Sequence, residues 1–247
     1  MPMPRETRGL VDFFMEKRGI AVYLTIMAIA FKEWALVCEA LGSGRQSVIL
    51  RKGGIAEGRE GFGFEHPEFY LFPTWFHGQI GKTRLPDVVL PEQAPGGVTI
   101  GYAAVIEWSG RLSDKESAHR LSALHVLDAS VIEERFEYDT AKGALGGGGI
   151  NVAFVRVYRL EPPVTLPMET KFGGCRSWVE VPLPASGAMV SVLSDEEHTR
   201  RRELFGRLID VSLSSPDPYC ARLCGESFPL RAAKLDFHHG FPMIPHP

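Results

Sequence analysis

Residues 151–160, NVAFVRVYRL, carry β-branched or aromatic side chains at five of ten positions and no glycine or proline, the composition of a sheet strand. Alternation along such a strand sets Arg156 across the sheet from its apolar neighbours, and Glu161-Pro162-Pro163 is expected to stop it. A second strand is predicted over Val98–Trp108, with Ile100, Tyr102, Ala104 and Ile106 on one face and Glu107 at its end. Shorter strands are predicted at Ser47–Leu50, at Glu68–Phe72 before Pro73 and Thr74, and at Trp178–Val181. Helical spacing of Phe31, Trp34, Ala35, Cys38 and Leu41 predicts a helix over Ile26–Leu41 that Gly42 ends. Further helices are expected at Leu10–Lys17, at Asp114–Leu121, and from Asp195 to about Asp210, where Asp195, Glu196 and Glu197 suit the positive end. Leu124–Val131 is expected to return to the sheet, and Gly78–Gln93 to be mostly turns. The fold class that follows is α+β, a compact mixed β-sheet or partly closed barrel flanked by helices.

With 247 residues, 45% of them hydrophobic and 23% charged, the chain can bury a sizeable core. A formal charge of -3 argues against a broad basic surface, while leaving room for a local basic groove. The apolar run Ile20–Phe31 is too short to span a bilayer and lacks the boundary of a leader, so no membrane partner and a cytoplasmic location are expected. Cys38 and Cys175 are dispersed, and Cys220 and Cys224 have helical spacing rather than that of a metal knuckle; structural thiols are the simplest reading. His238, His239 and His246 fall in a Pro/Gly-rich tail and are not expected to form a metal site. GALGGGG from Gly143 is a connection, since no Lys-Ser or Lys-Thr pair completes a phosphate loop.

The polar residues with the best claim to chemistry lie between Phe31 and Gln79, where Arg51, Lys52, Glu57, Glu65, His66 and His77 stand beside apolar segments. Arg51 and Lys52 follow a short strand and precede Gly53-Gly54, so two cations at a strand end can meet an anion. Glu65, Glu107, Glu134 and Glu137 are candidate ligands for Mg or Mn, with Lys52 beside a phosphate ester. His66 and His77 are candidate acids, bases or ligands, but the HEXXH spacing is missing. Ser177 has no glycine elbow of a hydrolase. Trp34, Tyr70, Trp75, Phe76, Tyr102 and Trp108 supply aromatic surface for a core or for base stacking, Trp75 being the stacking candidate beside Arg51 and Lys52.

Four blocks occur in order: Phe31-Lys32-Glu33-Trp34, LRKGGIAEG from Leu50, HPEFYLFPT from His66 and GCRSWVE from Gly174. In these the chain resembles a bacterial family catalogued as domain of unknown function 1802, over residues 27–183. The resemblance implies no settled activity. It implies a central α+β domain at 27–183, an N-terminal extension at 1–26, and a helical, Pro/Gly-rich C-terminal extension at 184–247.

Three functional readings are open at this level. The first is a nucleic-acid-interacting module for RNA or single-stranded DNA, with Arg51 and Lys52 on phosphate and Trp75 stacking. The second is a metal-dependent nuclease that uses some of the four glutamates. The third is a non-enzymatic structural or interaction module with a protein partner. Convergence of the carboxylates favours the enzyme, and cations in a groove without such a cluster favour binding.

Overall fold

In the computed structural model, residues 25–52, 62–86, 89–141, 149–174, 176–185 and 187–209 are described. Glu57, Cys175, Cys220, Cys224, the terminal histidines, the Leu10–Lys17 helix and most of the glycine-rich connection lie outside them. The elements are β1 (Thr25–Trp34), α1 (Ala35–Gly42), β2 (Val48–Arg51), β3 (Glu68–Thr74), β4 (Gly97–Leu112), α2 (Lys115–Arg120), α3 (Ala129–Ala141), β5 (Ile150–Pro167), β6 (Trp178–Pro184), β7 (Ala188–Ser191) and α4 (Asp195–Leu208).

The strands form one mixed sheet in the order β2-β5-β4-β3-β1-β6, and β7 also pairs with β5. Among the described residues only β1 and β3 run parallel; the other pairings are antiparallel. β2 pairs with residues 151–154 of β5 and β7 with residues 158–161, so the long strand is covered by two short ones. The sheet does not close into a barrel. At its ends, Arg51 of β2 donates to the side chain of Ser177, the residue just before β6.

Three local expectations change. Helical spacing holds only from Ala35; residues 25–34 are strand, because β1 is flanked by β3 and β6 and there satisfies its backbone on both sides. β5 runs past Glu161-Pro162-Pro163 to Pro167 and still pairs with β4, as at Val98↔Leu166, with the register shifting across the prolines. Residues 124–131 do not make a strand: apart from one bridge, Thr83↔Leu127, they lead into α3.

The sheet separates two apolar clusters. One contains Phe31, Leu71, Ala104, Ile106, Phe154 and Val155 and receives all four helices through Val37, Leu41, Ala118, Ile132 and Phe205. The other contains Ala30, Tyr70, Phe72, Ile100, Val181 and Leu183. Ile100 therefore lies on the opposite face from Ala104 and Ile106, because the register shift between Ile100 and Tyr102 breaks the simple alternation. Within the segment 184–247, β7 pairs with β5, and α4 buries Phe205 completely with its ring stacked 5.0 Å from Phe154. Burial of such a side chain contributes about 1.5–3 kcal/mol. No helix among the described residues is long and apolar enough to cross a membrane.

Candidate functional site

Arg51 ends β2 opposite Asn151, and its guanidinium leaves the sheet half-buried. Nη2 donates to Ser177 Oγ at 3.0 Å, while the group lies 5.3 Å from the centroid of the Phe31 ring and 5.9 Å from that of Phe62. Ser177 is held in turn, its carbonyl accepting from Lys32 N at 2.8 Å. Phe31 is fully buried and gathers Phe62, Phe64, Phe69 and Trp178 at centroid distances of 6.0, 6.0, 5.4 and 4.8 Å. His66 meets the Trp178 ring edge-on at 4.9 Å, and both are partly exposed.

A second guanidinium lies behind the first. Arg135 on α3 is buried, donates to the Leu50 carbonyl and sits 4.7 Å from the Trp34 ring centroid. Its Nη2 is 3.9 Å from Glu33 Oε1, which also accepts from Trp34 N at 2.8 Å. Burial lowers the Arg135 pKa; Glu33 opposes that, and Arg51 adds to it. Lys52 is exposed, with Nζ 4.0 Å from the Tyr138 ring centroid. Among the described residues no carboxylate lies within ion-pair distance of Arg51, and Glu33 is the only carboxylate that pairs with Arg135. The buried Asn151 amide nitrogen, in the residue opposite Arg51, makes no hydrogen bond among the described residues. Among the described residues the centre sets Arg51, Lys52 and Arg135 against the paired carboxylate of Glu33, with Glu134 acting on Arg135 from the outer side of α3, and this excess of cations suits an anionic ligand.

The other candidates lie elsewhere. Glu107 is the extra residue where β4 advances two positions, Ile106 to Trp108, against one on β5, and it meets α4. Its Oε1 is 2.9 Å from His198 Nε2 and its Oε2 is 3.9 Å from Arg202 Nε. Burial pushes the Glu107 carboxyl up, but His198, Arg202 and Arg156 outweigh it and the net shift is downward. Glu134 pairs with Lys82 at 2.6 Å and Glu137 with Lys115 at 2.7 Å, both on the outer side of α3. Glu65 is exposed before β3, and His77 is exposed at the start of a short helix. Among the described residues no group of three or more His, Cys, Asp or Glu side chains is placed to hold a metal ion. Trp75 packs against the second cluster, whereas Arg51 packs on Phe31 in the first.

A family model described as Domain of unknown function (DUF1802) matches residues 30–203. The chain belongs to the DUF1802 family. In this DUF1802 member all four sequence blocks that carry the resemblance meet at one place: Phe31 to Trp34, Leu50 to Lys52, His66 with Phe69, and Ser177 with Trp178. No curated protein matches the chain. Among solved structures, the DUF1802 chain is similar to ASCH from Zymomonas mobilis, with TM-score 0.38, 12% identity, and coverage of 71% of this chain and 94% of that one. Two mutant forms of the same protein give TM-scores of 0.39 and 0.37, each at 12% identity and 71% coverage of this chain, with 94% and 96% of those chains covered.

Phe62, Ser177, Trp178 and Arg135 complete the centre without having been singled out as its residues from the sequence. Each comes from a segment remote from Arg51 in the chain or across the undescribed stretch 53–61, so no local spacing marks it.

Proposed function

We propose that the protein is a cytoplasmic nucleic-acid-binding module that takes single-stranded RNA or DNA at the Arg51 centre. Arg51 and Lys52 contact phosphate, and the partly exposed rings of His66 and Trp178 offer a stacking surface for a base. The single observation that carries this reading is the Arg51 guanidinium, placed over Phe31 and Phe62 with a hydroxyl partner and no carboxylate among the described residues. A local cationic centre of this kind is compatible with a chain of net charge -3. In this reading Trp75 is not the stacking residue, since it packs against the other cluster.

The test is binding of the purified protein to end-labelled single- and double-stranded RNA and DNA, with EDTA and with added Mg or Mn, resolved on native and denaturing gels. A shifted, intact probe that is lost in Arg51→Ala and Lys52→Ala is the expected result. Metal-dependent cleavage that disappears in Glu107→Ala or Glu137→Ala would instead favour the nuclease. Neither binding nor cleavage would sink both and leave a protein partner.

A further inference from the structure

A cleft of about 300 Å³ opens beside α1, lined by Glu39, Trp75, Glu92, Tyr102 and Arg159 together with leucine, proline and small side chains. Its charge is of the opposite sign to that of the Arg51 centre. The Arg159 guanidinium is committed to Glu161, with Nε at 3.0 Å and Nη2 at 2.7 Å from the same carboxylate oxygen. The Glu39 carboxylate, by contrast, has no cation within ion-pair distance among the described residues and accepts there only the Tyr102 hydroxyl, at 3.3 Å. Glu92 likewise has no ion-pair partner among them. The Tyr102 phenol is pushed up to about 12, first by burial and then by Glu39, so it stays a donor near neutral pH.

The aromatic walls are fixed in place. The Trp75 indole N–H donates to the Pro91 carbonyl at 3.0 Å, which leaves the ring itself as the surface available to a ligand. Tyr102 packs against the end of α1, where a Cβ added to Gly42 would come within 2.1 Å of its ring. Two carboxylates without an ion-pair partner among the described residues, beside two held aromatic rings and with Arg159 held by Glu161, attract a cation and disfavour an anion. A cavity of this volume suits a small molecule.

We propose that this cleft binds a small organic cation, an ammonium carried on an apolar or aromatic body, with the charge at Glu39 and Glu92 and the body against Trp75 and Tyr102. The site is separate from the Arg51 centre and does not depend on its function.

Phenethylammonium is the probe, with phenylacetate and phenethyl alcohol as its anionic and neutral counterparts, titrated into the whole chain by calorimetry and by nitrogen-edited NMR of the indole resonances. The expected result is saturable binding of the ammonium alone, a shift of the Trp75 indole resonance, and weakening of about 10- to 100-fold in Glu39→Gln, the loss of a charge-assisted contact. Glu92→Gln is expected to weaken binding in the same direction, and Arg51→Ala to leave it unchanged. Equal binding of phenylacetate, unchanged affinity in both glutamine variants, or no binding of phenethylammonium up to about 10 mM, a threshold weaker than ordinary ligand affinities, would overturn the proposal.

Discussion

Arg135 Nη2 and Glu33 Oε1 face each other at 3.9 Å with both side chains almost wholly out of solvent, the arginine at 8% and the glutamate at 0% exposure. That separation is long for an ion pair, and Glu33 Oε2 makes no hydrogen bond among the described residues. The pair holds α3 against the β1–α1 junction directly behind Arg51, rather than acting as an optimised stabilising contact.

Arg135→Ala, which strands the buried Glu33 carboxylate, is expected to cost about 3–5 kcal/mol. Arg135→Met combined with Glu33→Gln removes both charges and is expected to be clearly more stable than the sum of the single changes predicts, because the two residues couple. Urea denaturation of the wild type, Arg135→Met, Glu33→Gln and the double variant measures this. Additive effects would contradict the coupling.

His125 gives the stability a pH dependence of definite sign. It is buried, its Nδ1 accepts from Leu127 N at 3.1 Å, and its Nε2 has no hydrogen-bond partner among the described residues. Burial first, then Arg84, Arg135 and His119, lower its pKa from 6.5 to about 3. The unfolded chain therefore takes up a proton that the folded chain refuses. The stabilisation is complete above pH 6.5 and is lost as pH falls toward 3, with a limiting slope of about 1.4 kcal/mol per pH unit. His125→Asn keeps an acceptor for Leu127 N and is expected to flatten the slope between pH 5 and 6.5, measured as urea midpoints. The same slope in the variant would place its origin elsewhere.

Glu107 is expected to act through the docking of α4. Glu107→Gln weakens the contacts to His198 and Arg202 and is expected to cost about 1.5–3 kcal/mol, the range for a hydrogen bond to a charged group. Faster hydrogen exchange across α4, with nucleic-acid binding unchanged, is the predicted pattern. A loss of binding at unchanged α4 protection would put Glu107 at the ligand instead.

Local signals in the sequence are strong where a strand is dense in β-branched residues, as at Asn151–Leu160, and where a cap is near in sequence, as at Ser194 before α4 and Asp114 before α2. They fail where a distant residue decides. The α1 N-terminus is served by Gln79, whose Oε1 accepts from Leu36 N at 3.0 Å across 43 residues of chain, so nothing near Ala35 marks the change from strand to helix. The turn of Glu107 toward α4 depends on a register offset between two strands, which spacing along one strand does not reveal. At the candidate site, Arg51 and Lys52 are readable as cations at a strand end. The setting of Arg51 on Phe31, Phe62 and Ser177 arises only when the two ends of the sheet approach.

The most direct test of the account is the salt dependence of single-stranded RNA binding by the wild type, Arg51→Ala, Lys52→Ala and the double variant, each first shown to be folded by circular dichroism. If each cation neutralises one phosphate, the slope of log affinity against log salt becomes shallower by about 0.7 for each single variant and about 1.4 for the double. Binding whose slope is unchanged in both single variants, or no RNA binding by the wild type at low salt, would contradict a phosphate-contacting role for Arg51 and Lys52.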